Sequence, residues 1–439
     1  MRWNERWSRV ALIALWAGAC AAPSVAGPAG RWSGSCGPAD DRRALAVTLV
    51  ERGGTVSGKL DLESGGLVGE PLSGVALHGD SVMLALATDI GEITFAGVQQ
   101  GDRIAGRMRM GALDYPFELS PAAGTSPAWR EEDVKLPNGE VTLAATLLLP
   151  EGRGPFPAVV FLHGSGDAPR LGLGDRARAH AYLREGIAVL VYDKRGIGGS
   201  SGDYRRVGMR ELAGDGLAAL RWLGGRREVR KDALGFDGRS QGCWLAEMAA
   251  AEAPEVRFIV AQVGGGVSPW RQEMHRVAAE LRAAGAGPAS VDSAMGWVQL
   301  HYAVARGDSS WDRYLRVAES LRGARWLELK RPYASVEQAR ASWERLSSYE
   351  PAPDLARLRC PLLAVLGEED RSTPTEETAR VLRESPRPAG APPFEVRVLP
   401  GVGHELLEFP PSGIPRAPRD YPAMVARWVK GVVGEGRQR

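Results

Sequence analysis

The stretch that most constrains this chain is Gly238-Arg239-Ser240-Gln241-Gly242. Before it, Ala233-Leu234-Gly235-Phe236 reads as a short buried strand. After it, Trp244 to Ala251 reads as a helix of good formers. A serine between glycines, on a sharp turn from strand into helix, is the pattern of a nucleophile elbow. The glycines have a steric reason. A serine raised on such a turn has unfavourable backbone angles, and its neighbours must approach other backbone closely. The helix that follows directs amide N–H groups and the positive end of its dipole toward the turn.

The remainder of the chain divides by pattern. Residues 31–120 are rich in glycine and short in helix signals. Strands are expected at Ala44–Val50, Thr55–Leu62, Val75–Leu77, Ser81–Ala87, Ile93–Val98, Arg103–Met110 and Tyr115–Leu119. Short strands at close spacing predict a small all-β barrel or sandwich. It offers no chemistry: its one histidine, His78, lies beside a turn. Residues 121–130 read as a linker. From 131 to 439, apolar strands (Val141–Leu149, Ala158–Leu162, Ala188–Tyr192, Phe258–Val263, Pro361–Leu366, Phe394–Leu399) alternate with helices. That pattern predicts a parallel sheet covered on both faces. Residues 268–348 interrupt the rhythm. They are helical in character, with Trp270, Trp297, Trp311, Trp326 and Trp343, and read as a cap over the carboxyl ends of the strands. Those tryptophans fit packing of the cap better than lining of a pocket.

Composition narrows the function classes. The formal charge is +2 and the arginines are scattered, which gives no footprint for nucleic acid. Residues 1–26 have the form of a secretory signal: Arg2, Arg6 and Arg9, a short apolar run from Val10 to Ala17, then Ser24-Val25-Ala26. The run is too short to span a bilayer. Plain secretion fits better than lipidation at Cys20, because the residue three before it is Ala17 rather than a bulky aliphatic. Cys243 and Cys360 read as buried small hydrophobes.

A serine needs a base, and the base needs an orienting carboxylate. Three histidines follow Ser240. His275 and His301 fall in the cap, whereas His404 follows the last expected strand and is the candidate base. Leu362 to Leu366 runs into Gly367-Glu368-Glu369-Asp370, which makes Asp370 the candidate acid and Glu369 its nearest rival. The oxyanion of a tetrahedral intermediate needs N–H donors. Gln241, next to the nucleophile, supplies one. The loop Leu162-His163-Gly164-Ser165-Gly166 offers Ser165 as the other, with His163 fixing the loop. Gly196-Ile197-Gly198-Gly199-Ser200-Ser201-Gly202 mimics a dinucleotide loop but has Ser201 where the third glycine belongs. No cofactor and no metal site is expected.

Five motifs in order carry a resemblance: Phe156 to Gly166, Tyr192-Asp193-Lys194-Arg195-Gly196 through Gly202, Gly238 to Gly242, Gly367 to Asp370, and Gly403-His404. From about Leu136 onward the chain resembles the secreted bacterial α/β-hydrolases related to serine aminopeptidases and dienelactone hydrolases. Some of these carry an N-terminal β-domain and act as carboxylesterases. The resemblance implies Ser240 as nucleophile, Asp370 as acid and His404 as base. It also implies an α/β-hydrolase fold: a mostly parallel, doubly wound sheet with a helical cap, behind a small all-β domain. Two positions depart from the family. Arg239 replaces a histidine or aromatic residue, and Cys243 replaces a glycine.

The expectation is therefore a secreted or periplasmic serine esterase acting on a small ester through an acyl-enzyme. The alternatives are a peptidase on the same scaffold and an inactive secreted binding protein. An aminopeptidase would need a cap carboxylate, from Glu273, Glu280, Asp292 or Asp308, for the substrate ammonium.

Overall fold

The computed structural model describes residues 29–62, 66–88, 91–124, 128–413 and 415–435. The expected signal segment, with Cys20, lies outside the described residues.

Two sheets organise the chain. The first has nine antiparallel strands in the order β4-β3-β2-β1-β9-β8-β7-β6-β5. They are β1 (Gly30–Cys36), β2 (Arg43–Arg52), β3 (Thr55–Leu62), β4 (Leu67–Pro71), β5 (Gly74–His78), β6 (Ser81–Thr88), β7 (Gly91–Gln100), β8 (Arg103–Met110) and β9 (Leu113–Pro121). Its two edge strands are consecutive in the chain. Leu72 N donates to Gly58 O in β3, and Ser73 N donates to Ala85 O in β6. The chain thus passes from one edge to the other within two residues and curls the sheet into a barrel. Alternate residues such as Leu45, Val47, Leu49, Phe95 and Phe117 fill the interior. Strands β1 and β4 escape the sequence reading. Glycines at 30, 34 and 69 and Pro71 dilute their apolar pattern.

The second sheet has eight strands, β10-β11-β13-β12-β14-β15-β16-β17. They are β10 (Trp129–Asn138), β11 (Val141–Pro150), β12 (Phe156–Leu162), β13 (Ala188–Tyr192), β14 (Val229–Arg239), β15 (Phe258–Gln262), β16 (Leu362–Gly367) and β17 (Glu395–Leu399). The first two pairs differ in sense from the rest: β10 and β11 form an antiparallel hairpin, and β11 meets β13 antiparallel. All the remaining pairs are parallel. Helices α1 (Leu173–Arg184) and α10 (Tyr421–Glu435) cover one face, and α2 (Met209–Gly224) and α3 (Gln241–Glu252) cover the other. The central strands are buried on both faces, which explains why they read as unbroken apolar runs.

Between β15 and β16 the chain leaves the sheet to build the cap. Its helices are α4 (Pro269–Ala283), α5 (Pro288–Arg306), α6 (Trp311–Ser320) and α7 (Val336–Ser342); α8 (Ala352–Leu355) leads back to the sheet, and α9 (Thr375–Glu384) joins β16 to β17. The cap has a core of its own, to which all five cap tryptophans belong. Trp297 and Trp311 both stack on Tyr314, with centroids at 4.7 and 5.1 Å.

The barrel docks on α1. His180, fully buried, accepts from Val68 N through Nδ1 at 3.1 Å, and Arg176 pairs with Glu70 at 3.2 Å. A second junction joins Arg43 to Pro415 O at 2.8 Å. Cys36, Cys243 and Cys360 are buried and unbridged.

Candidate active site

The site begins with the backbone of Ser240. Its φ of +52° and ψ of −116° lie where an L-residue is strained. Three glycines allow it. A Cβ on Gly238 would lie 2.3 Å from Gly242 O, one on Gly242 would lie 2.1 Å from Leu162 O, and one on Gly264 would lie 2.5 Å from Ser240 O. Ser240 N donates to Gln262 O at 2.8 Å, so β15 holds the turn in place.

Under the elbow lies a buried polar knot. Asp237 accepts from Arg178 Nη1 (2.8 Å), Tyr182 Oη (3.0 Å) and Gln262 Nε2 (2.7 Å). Tyr421 closes the knot by donating to Gln262. Burial raises the Asp237 carboxyl above its usual range, while Arg178 and the hydrogen bonds oppose it. The knot ties α1 and α10 to the strand that carries Ser240.

The three residues expected to act together come together at the carboxyl ends of β14, β16 and β17. His404 Nε2 lies 3.2 Å from Ser240 Oγ. His404 Nδ1 donates to Asp370 at 2.9 Å (Oδ2) and 3.1 Å (Oδ1). A carboxylate only accepts, so the imidazole proton sits on Nδ1 and the Nε2 lone pair faces the serine hydroxyl. Asp370 is itself held, with Oδ1 accepting from Ser372 N (2.7 Å) and Thr373 N (2.8 Å). Its rival Glu369 is exposed.

The two cap histidines separate. His301 is buried in the cap, with Nδ1 2.9 Å from Tyr314 Oη and its ring stacked on Tyr333. His275 lies beside the acid loop, with Nε2 3.3 Å from Asp370 O.

Gln241 is the first residue of α3, and Ser165 lies on the exposed loop after β12. That loop passes close to the serine: a Cβ on Gly164 would lie 3.6 Å from Ser240 Cβ. His163 is buried, its Nε2 on Tyr192 O, and burial lowers its pKa. It therefore fixes the loop as a neutral ring.

Two residues at the site escape the sequence reading. Lys194 stands only inside a quoted motif, yet it is 3 % exposed and reaches Gly164 O at 2.5 Å, Gly166 O at 3.0 Å and Gln241 Oε1 at 3.3 Å. The signal was its place at the carboxyl end of a fully apolar strand. Arg239 is noticed only as a departure from the family. Its Nη2 donates to His404 O at 3.2 Å and pairs with Glu405.

The cap carboxylates considered for a substrate ammonium are mostly occupied. Glu273 pairs with Arg276 (2.7 Å) and Lys330 (3.4 Å), Glu280 with Arg276 (2.8 Å), and Asp308 with Arg306 (2.7 Å). Asp292 is exposed on α5. Among the described residues no helix is long and apolar enough to cross a membrane.

Known proteins supply the context. An uncharacterized protein of Mycobacterium tuberculosis is 29% identical over 160 residues, which are 34% of this chain and 53% of that one. The chain thus spans about half the length of that relative. An α/β-hydrolase from Penicillium sp. sh18 superposes with a TM-score of 0.41 at 22% identity, over 63% of this chain and 91% of that one. An esterase of Pyrococcus furiosus gives a TM-score of 0.44 at 17% identity, over 70% and 91% respectively. The model of the X-Pro dipeptidyl-peptidase (S15) family matches residues 138–402, more than half of the chain and the whole span from β11 to the loop before His404. The chain is an α/β-hydrolase, and it belongs to the X-Pro dipeptidyl-peptidase (S15) family.

Proposed function

We propose that this protein is an exported serine esterase that cleaves small carboxylic esters through an acyl-enzyme. The reading rests on one observation above all: a single imidazole spans Asp370 and Ser240, at 2.9 and 3.2 Å. In this reading His404 takes the Ser240 proton as the hydroxyl attacks the ester carbonyl. The Gln241 and Ser165 N–H groups receive the oxyanion. His404 then protonates the leaving alcohol, and afterwards activates the water that releases the acid. Asp370 keeps the imidazole in the required tautomer and stabilises the imidazolium. Export rests on the sequence of residues 1–26.

A peptidase is the second reading, and the S15 family favours it. Against it stands the occupancy of the cap carboxylates: Glu273, Glu280 and Asp308 already carry arginine or lysine partners. At those three a substrate ammonium would have to displace the partner, which leaves Asp292, exposed on α5, as the remaining cap carboxylate.

The test is fluorophosphonate labelling of the full chain beside Ser240→Ala, followed by turnover of a p-nitrophenyl ester and an aminoacyl-anilide. One adduct on Ser240, absent from the variant, with greater efficiency on the ester, is expected. Greater efficiency on the anilide replaces the esterase by the peptidase. Absence of any adduct on folded protein overturns both and leaves a binding protein.

A further inference from the structure

We propose that Lys194 is the positioning residue of the oxyanion hole, holding both of its donors at once; this rests on the reading of Ser240 as nucleophile. The ammonium of Lys194 has three N–H bonds and meets three acceptors: Gly164 O, Gly166 O and Gln241 Oε1. The first contact sets the direction of a catalytic N–H. The Gly164 carbonyl and the Ser165 N–H belong to one planar trans peptide and point in opposite directions. With the carbonyl drawn onto Lys194, the Ser165 N–H is turned away from the lysine. The loop runs beside the nucleophile: a Cβ placed on Gly164 would lie 3.6 Å from Ser240 Cβ. The second contact fixes the far side of the same loop at Gly166. The third holds the side chain of Gln241, whose own N–H is the other donor. One buried cation therefore sets the spacing between the β12 loop and the first turn of α3, the two segments between which an oxyanion would sit.

Lys194 is fixed in turn. It is the second residue after β13, its N–H donates to Ala168 O at 3.0 Å, and its ammonium lies 4.9 Å over the Tyr204 ring. Asp167 is the charged carboxylate that acts on it, and Asp167 is itself shared with Tyr204 Oη (2.7 Å) and Arg205 (3.0 Å). His163, on the same loop, is kept neutral by burial. Burial pushes the Lys194 ammonium down to about 8, and Asp167 opposes that shift. Below this pH the three N–H bonds match three acceptors. Above it the amine has two N–H bonds, and its lone pair faces a carbonyl or amide oxygen, so one of the three ties to the β12 loop and α3 is lost.

The experiment compares the full-length wild type, Lys194→Met, Lys194→Arg and Ser240→Ala on a p-nitrophenyl ester. It also measures inhibition by a boronic acid that forms a tetrahedral adduct with serine. Lys194→Met is expected to lower kcat about 10–100-fold, less than or equal to the loss of one oxyanion donor. KM should change little, and the boronate Ki should rise in parallel with the loss of kcat. A general loss of structure would lower kcat without that selective parallel. The wild-type kcat is expected to fall above about pH 8, and Lys194→Arg, whose charge is permanent, to lack that alkaline limb. Should Lys194→Met fail to fold, the Lys194→Arg profile decides alone, and an alkaline limb like that of the wild type overturns the proposal. Lys194→Met with kcat and boronate Ki within about twofold of the wild type, beside an inactive Ser240→Ala, overturns the role of Lys194 and leaves the esterase reading standing. An active Ser240→Ala overturns both.

Discussion

Arg239 grips the main-chain carbonyl of His404 with its Nη2 at 3.2 Å. The residue before the serine thus holds the peptide of the residue that faces the serine, and the Glu405 carboxylate completes the grip. The link runs across two loops that the sheet alone brings near each other, and it bears directly on the Nε2–Oγ distance.

That grip gives a first prediction. Arg239→Met should lower kcat on a p-nitrophenyl ester about 10-fold, because misplacing a base by a fraction of an ångström weakens proton transfer. The melting temperature should change little. Glu405→Gln should do less, since its side chain is 64% exposed and such a pair contributes little. Steady-state kinetics beside thermal unfolding check both; an unchanged kcat in Arg239→Met refutes the grip.

The two neighbouring carboxylates of the acid loop should behave differently. Asp370→Asn keeps an oxygen for Ser372 N and Thr373 N but no longer enforces the proton on His404 Nδ1. A loss of kcat of about 10⁴ is expected, as for a triad aspartate replaced by asparagine. Glu369→Gln, exposed on the same loop, should stay within about twofold of the wild type. Equal losses in the two variants would contradict the assignment.

The elbow glycine makes a stability prediction. A Cβ on Gly242 would stand 2.1 Å from Leu162 O and 2.7 Å from Leu162 C, both backbone atoms of a buried central strand. Gly242→Ala should destabilise by about 3 kcal/mol or prevent folding. Gly214→Ala in α2 meets nothing within 4 Å and should stabilise by about 0.5–1 kcal/mol. Chemical denaturation of the two variants measures the contrast.

Glu247 makes a pH prediction. It is fully buried in α3, its Oε1 accepts from Gly266 N at 3.0 Å, and its Oε2 has no hydrogen-bond partner among the described residues. Burial raises its pKa to about 8 from 4.5. The folded chain therefore keeps a proton that the unfolded chain loses above about 4.5. The stability this contributes is complete below 4.5 and is lost as pH rises through about 8. Glu247→Gln keeps the acceptor for Gly266 N and has no proton to lose. Its melting temperature should exceed that of the wild type by about 2 °C or more at pH 8.5, with little difference at pH 4.5. Differential scanning calorimetry at the two pH values checks the sign.

The sequence by itself determined the local devices. Gly238 to Gly242 between an apolar strand and an alanine-rich helix permits little other than an elbow, because only glycine tolerates the approaches that Ser240 requires. The unbroken apolar runs 158–162, 188–192 and 258–263 require a sheet buried on both faces, and the short strands of 44–119 require a small β-structure. The order Ser240, Asp370, His404 on strand-end loops was likewise legible, since each lies where its strand gives out. Tertiary structure decided what depends on distance. Lys194 and Arg239 read as ordinary cations in the chain, and only the packing of β13 beside β12, and of the β17 loop beside the elbow, turns them toward the site. The antiparallel start of the second sheet and the closure of the barrel through Leu72 and Ser73 depend on which edges pair. Of the cap carboxylates, Glu273, Glu280 and Asp308 meet Arg276, Arg306 and Lys330 only in the fold, while Asp292 stays exposed. Periodicity along a chain encodes which face of an element is buried; it does not encode which of two charged side chains, far apart in sequence, will meet.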